Sequence, residues 1–149
     1  MPNSIQTEQC VLLTGSNASG KSTFLKTAAV TALLAQTIHT VTAVRYEGCC
    51  FRIFTSMALR DDLIGEESYF MVEIRSLKRI LDRIRGEVPV LCCVDEVLRG
   101  TNTIERIAAS SKILESMAEK RMICFAATHD IELTYLLEGI FRNCHFEEE

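Results

Sequence analysis

Residues 10–23 read "CVLLTGSNASGKST", an apolar run that stops at a stretch of glycines, small polar residues and one lysine. Gly15 and Gly20 bracket four residues, and Lys21 and Ser22 follow, giving the pattern G-x-x-x-x-G-K-[ST]. Glycines at those positions let the backbone turn its N–H groups onto a phosphate, and a helix starting at Lys21 adds the positive end of its dipole. A lysine there reaches the β- and γ-phosphates, and the Ser22 hydroxyl suits Mg²⁺. A chance glycine-rich turn is the alternative. It does not explain why the segment lies between a buried strand and an Ala/Leu-rich helix, the context the phosphate loop requires. Gly15, Ser16, Ser19, Gly20, Lys21, Ser22 and Thr23, with Asn17 and Ala18 between them, are therefore candidate nucleotide-binding residues.

The rest of the pattern agrees with an α/β chain. "CVLLT" (10–14), "VPVLCCVD" (88–95), "MICFAAT" (122–128) and "CCFRIFT" (49–55) are short apolar runs without polar alternation, as expected for strands covered on both faces. Helical patterns separate them, from Lys21 to about Gln36 and from Ser68 to about Arg85. In the second, Phe70, Ile74, Leu77, Leu81 and Ile84 recur at spacings of four and three. Ile104, Ile107, Ala108, Leu114 and Met117 mark a third, and both stripes are expected to face the core. Near the C-terminus, an apolar stretch just before "CHFEEE" resembles one more strand. Alternating strands and helices predict an α/β sandwich with a mostly parallel sheet and right-handed crossovers.

Two strand ends carry further chemistry. "VLCCVDE" places Asp95 at the C-terminal end of its strand, the edge at which open α/β sheets bind ligands. Asp95 is a candidate Mg²⁺ ligand with Ser22, and Glu96 a candidate general base or water-positioner. An acidic pair at a strand end can also be a helix cap. Paired with the phosphate loop, it points to hydrolysis. "ATHD" (127–130) puts His129 at another strand end, where it could contact the γ-phosphate or the attacking water. His39 and His145 lack such a context and read as structural.

With 149 residues and a formal net charge of -4, the chain is one domain's worth and has no basic patch for gripping nucleic acid. The N-terminus is no secretory signal, and no apolar run approaches the ~18 residues of a membrane span. The seven cysteines form no C-x-x-C pair. Free, mostly buried thiols in a reducing cytoplasm are expected, without zinc.

Loop, acidic pair and histidine, in that order, fit the ABC-type ATPase superfamily. Within it the chain resembles the ATPase domain of the MutS family. "LLTGSNASGKSTFLKTAAVTALLAQT" resembles the Walker A segment, and "FTSMALRDDLIGEESYFMVEIRSLKRIL" the segment with a signature serine, here Ser68. "CCVDEVLRGTNTIERIAAS" resembles the Walker B strand with its Arg-Gly-Thr turn, and "FAATHDIEL" the switch-histidine segment. The resemblance implies a P-loop NTPase fold with an ABC-type core over residues 1–149, cut from a longer protein. It implies ATP and Mg²⁺ as cofactors and a homodimer formed through the ATPase face. Lys21, Glu96 and His129 would then be catalytic, Ser68 would reach the partner's γ-phosphate in trans, and Asn17 would lie by the phosphates. Residues Arg99 to Thr103 would sit at the subunit contact. DNA would be touched only by domains outside this chain, with no membrane contact by this one.

The chain departs from typical mismatch-repair members at Ala18-Ser19, where they have Met-Gly, at Leu98, where they tend to have Gly, and at Tyr69, where they have Thr. These changes spare the groups expected at phosphate and metal and point to a divergent MutS-related subgroup. Alternative readings are a nucleotide-dependent clamp or dimerisation module with negligible turnover, and another ABC-type ATPase head. The latter predicts an L-S-G-G-Q-like run, which the sequence lacks. A small-molecule kinase is further still, because no acceptor-binding lid is recognisable.

Overall fold

The apolar runs become the strands of one sheet. In the computed structural model, which describes residues 4–16, 19–57, 69–84, 87–98, 101–120 and 122–147, the strands are β1 (Val11–Gly15), β2 (Arg52–Ser56), β3 (Val90–Asp95), β4 (Met122–Ala127) and β5 (Arg142–Phe146). Between them run helices α1 (Lys21–Ile38), α2 (Tyr69–Arg83), α3 (Thr103–Ala118) and α4 (Glu132–Leu136). The spatial order is β2-β3-β4-β1-β5, and every pairing is parallel.

Burial explains why the central strands read as continuous apolar runs. Successive side chains of a strand point to opposite faces, and here both faces are covered. On one face Val11, Leu13, Leu91, Cys93, Phe125 and Ala127 meet Leu25, Ala29 and Ala32 of α1. Phe24 wedges α1 in place, edge-on to Phe125 and Phe146 with ring centroids 6.0 and 5.6 Å apart. On the other face Leu12, Cys92, Val94, Cys124 and Ala126 meet Leu77 and Ile80 of α2, Leu114 and Met117 of α3, and Leu133 and Leu137 beside α4. Each fully buried leucine of this kind contributes about 2 kcal/mol relative to leaving it in water.

The α2 stripe packs as its spacing predicts, with Ile80 joining it. The α3 stripe does so only in part. Leu114 and Met117 are fully buried and Ile107 packs against the core, but Ile104 is 83% exposed and Ala108 is exposed. Ile104 occupies the first turn, in solvent, while Ser110 and Ser111 are buried farther along the helix. The C-terminal strand is also displaced. The apolar residues 136–141 close α4 and the turn after it, whereas β5 contains Cys144–Phe146 itself. At the sheet edge β5 alternates exposed and half-buried residues, so it never presents an apolar run.

Four of the seven cysteines are buried, and all are free thiols. Cys92 and Cys124 are register partners on β3 and β4, beside Cys10. Burial pushes the Cys93 thiol up to about 12 and also raises Cys10. Cys124 is raised first by its hydrogen bond with Cys92 and then by burial. Kept protonated, these three act as small apolar side chains. Among the described residues no group of three potential ligands is placed to hold a metal ion.

Candidate active site

Strand register sets the site. Ala127 of β4 lies level with Leu13 of β1 on one side and with Asp95 of β3 on the other. All three strands therefore end at one edge, with β4 in the middle. The backbone continues the ladder past that point: Thr128 N–H donates to the Leu13 carbonyl at 2.9 Å, and Glu96 N–H to the Ala127 carbonyl at 3.0 Å. The residue after Thr128 must then emerge between Gly15 and Glu96. It is His129.

At the end of β1, Gly15 has φ +143°, and a Cβ there would lie 2.6 Å from the Phe146 carbonyl oxygen of β5. Only glycine fits. Gly20 caps α1 in the left-handed region, and the helix has no acidic residue in its first turn. Its N-terminal end therefore keeps the positive character that suits an anion. Lys21 is buried, and its ammonium donates to the carbonyls of Gly15 (2.8 Å) and Ser16. Ser19 Oγ, which donates to the Ser16 carbonyl at 3.0 Å, lies 3.5 Å from the same ammonium. Ser22 is half-buried and Thr23 exposed in the first turn. Asn17, Ala18, Ser68, Arg99 and Gly100 lie outside the described residues.

Asp95 is buried at the end of β3, and the chain then turns through Glu96 and Leu98, both with positive φ (55° and 61°). That turn brings the Glu96 carboxylate back over the strand ends. His129 Nδ1 is 3.1 Å from the Gly15 carbonyl oxygen, and its Nε2 is 2.8 Å from Glu96 Oε1. A carbonyl only accepts, so Nδ1 carries a proton. Nε2 therefore hydrogen-bonds the carboxyl group only if one further proton lies between them, on the imidazole or on Glu96. With their side chains 35% and 25% exposed, both groups remain reachable from solvent.

Beside them Arg106, in the first turn of α3, grips Asp130 with two parallel bonds, Nε to Oδ2 at 2.8 Å and Nη2 to Oδ1 at 2.6 Å. This hydrogen bond and the charges of Asp130, Glu96 and Glu132 raise the arginine above its ordinary value, against a smaller opposing effect of burial. Ser16, Glu96, Val97, Arg106, Thr128, His129 and Asp130 line an open cleft of about 690 Å³.

The sequence matches the family model for MutS domain V over residues 11–148. This chain belongs to the MutS domain V family. It is 38% identical over 147 residues to the DNA mismatch repair protein MutS of Thermus thermophilus and to that of Thermus aquaticus, covering 97% of the chain and 18% of each relative. The MutS protein of the archaeon Natronomonas pharaonis is 38% identical over 144 residues, 94% of the chain and 17% of the relative. The chain thus spans less than a fifth of the length of these relatives.

Within this MutS domain, Gly15, Ser16, Ser19, Gly20, Lys21, Asp95, Glu96 and His129 gather at the one sheet edge as their positions after strands predict. His39 ends α1, and His145 pairs with Thr14 through Nδ1 at 3.0 Å, away from the cleft. Sequence reasoning missed Arg106 and Asp130. Asp130 directly follows His129 in "ATHD", but its partner is 24 residues away on another element.

Proposed function

We propose that this domain is a P-loop NTPase of the ABC type that binds Mg-ATP at Gly15–Thr23 and hydrolyses it with Glu96, as the motor of a MutS-like DNA-repair protein. The observation that carries the reading is the convergence of Gly15, Ser16, Ser19 and Lys21, the Asp95–Glu96 pair and His129 on one sheet edge, with Glu96 and His129 in contact. The family membership supports it. The donor set fits Mg²⁺: a buried carboxylate, Asp95, and a hydroxyl, Ser22, suffice for an ion that keeps waters and substrate phosphate oxygens as its other ligands. When bound, the ion polarises the phosphoryl oxygens and offsets their charge.

The chain's own residues divide the remaining work. Gly15 and Gly20 allow the backbone to approach the phosphates, and Lys21, already stationed by the Gly15 and Ser16 carbonyls, supplies a fixed positive charge near them. Glu96 accepts a proton from the attacking water, which requires it to be ionised. The proton it shares with His129 must then reside on the imidazole. His129 then orients the carboxylate through Nε2 while its Nδ1 is held by the Gly15 carbonyl. In this reading two copies of the domain meet through their ATPase faces, and Ser68 of each serves the partner's site. DNA contacts belong to other parts of the protein. A cytoplasmic role is part of this reading; among the described residues no helix is long and apolar enough to cross a membrane. The departures at Ala18-Ser19, Leu98 and Tyr69 support a divergent subgroup.

The test is ATP binding and phosphate release by the full-length protein and its Lys21→Ala variant. The reading expects loss of both, and turnover by the unmodified protein that rises faster than linearly with protein concentration in the dimerising range. Unchanged hydrolysis in Lys21→Ala would overturn it.

A further inference from the structure

Arg106 and Asp130 are not needed to explain nucleotide binding, yet they form a part-buried ion pair joined at two points. Both guanidinium bonds are short and parallel, and the side chains are only 25% and 13% exposed. An arginine fork of this kind fixes the orientation of its partner as well as its position. The two residues come from elements that differ in how firmly they are held. The first turn of α3 is capped by Asn102, whose Oδ1 accepts from Glu105 N–H at 3.0 Å, and by a Thr101 to Glu105 bond at 2.8 Å. Farther along, Ser110 Oγ donates to the Val97 carbonyl at 3.3 Å, and Leu114 and Met117 are fully buried. The helix is thus anchored both to the core and to the turn that carries Glu96. Asp130, in contrast, sits in a short turn after β4, where its own N–H donates to Thr128 Oγ1 at 3.0 Å. His129 is the residue between.

We propose that Arg106 is a positioning residue for hydrolysis: by clamping Asp130 onto α3 it holds the turn 128–130 so that His129 stays bridged between the Gly15 carbonyl and Glu96. The clamp ties the segment after β4 to the segment after β3, the two segments that carry His129 and Glu96. Arg106 itself need not touch the substrate. Its charge also faces Glu96 and Glu132, so the fork closes a local excess of carboxylates around the histidine. The proposal rests on the hydrolytic reading above for its consequence, but its structural content concerns His129 alone and can be read without ATP.

Two measurements on the full-length protein separate these. The first is the rate at which diethyl pyrocarbonate modifies each histidine, followed by mass spectrometry, with exposed His39 as internal reference and His145 as a monitor of general loosening. Arg106→Gln and Asp130→Asn are each expected to raise the His129 rate about tenfold, with the double variant no faster than either single one, as for residues acting through one contact. Arg106→Lys, which keeps the charge and loses the fork, falls between. An unchanged His129 rate, or a rise shared by His145, overturns the clamp. The second is steady-state hydrolysis, where the single variants are expected to lower kcat about tenfold while KM for ATP stays within about twofold. Faster His129 modification with undiminished kcat would overturn the role in hydrolysis while leaving the nucleotide-binding reading intact. Absence of ATP turnover in the unmodified protein would sink that reading, and the His129 rates would still decide the clamp.

Discussion

His129 Nε2 lies 2.8 Å from Glu96 Oε1, although β3 and β4 deliver the two residues from chain positions more than thirty apart. Because the other ring nitrogen is committed to the Gly15 carbonyl, the histidine can serve Glu96 only in this orientation. Shorter and longer amides separate the two contacts. His129→Asn places a donor near the Nδ1 position and abandons Glu96. His129→Gln reaches the Nε2 position instead. Hydrolysis at saturating ATP should fall by about tenfold more in His129→Asn than in His129→Gln, within the range of a lost acid–base contact. A larger loss in His129→Gln would mean that the Gly15 bond, not the Glu96 bond, matters.

The two glycines between β1 and α1, Gly15 and Gly20, should differ in what they tolerate. A Cβ on Gly15 meets a backbone carbonyl of β5 at 2.6 Å, whereas one on Gly20 meets nothing within 4 Å. Gly20→Ala then suffers only its positive φ, about 1 kcal/mol. Gly15→Ala must also push β5 away and should cost about 2 kcal/mol or more. Urea unfolding of the two variants checks the order.

Leu98 occupies a left-handed conformation with φ 61° while its side chain is fully buried in the core. Glycine there would suit the backbone but leave no side chain to pack. Removing the side chain should cost about 3 kcal/mol, and glycine should recover about 1 kcal/mol by relieving the backbone. Leu98→Gly is therefore predicted to be more stable than Leu98→Ala, the reverse of the usual order. A comparison of denaturation midpoints decides it.

The buried thiols predict a loss of stability in base. Cys10, Cys93 and Cys124 all have folded values raised above 9.0, Cys93 to about 12. Well below pH 9 these three thiols are protonated in both states. As pH rises from there toward about 12, the unfolded chain releases protons that the folded one retains, so unfolding is favoured. The urea midpoint should fall between about pH 8 and about pH 10.5, and less steeply in Cys93→Ala, where one such group is removed.

Much of this architecture is legible in the sequence because its decisive strands are buried on both faces. Residues 90–94 and 122–127 are unbroken apolar runs, and the residues after them could only lie at one sheet edge. The edge strand β5 is not legible, because exposed Arg142, Asn143 and His145 erase the run. Neither is α4, whose five residues are too few for a helical period to be told from a turn. Asp95, Glu96 and His129 announce themselves by following strands. The Arg106–Asp130 fork does not, because its two residues lie 24 positions apart on different elements and neither follows a pattern of its own.

The central claim is that Glu96 activates water at a site whose nucleotide is held by other residues. Its most direct test is phosphate release and ATP affinity measured together in full-length protein carrying Glu96→Gln, which keeps the shape and removes the base. The account predicts that ATP binds within about twofold of the unsubstituted protein while turnover falls at least about a hundredfold. Turnover at the unsubstituted rate with ATP bound would contradict it.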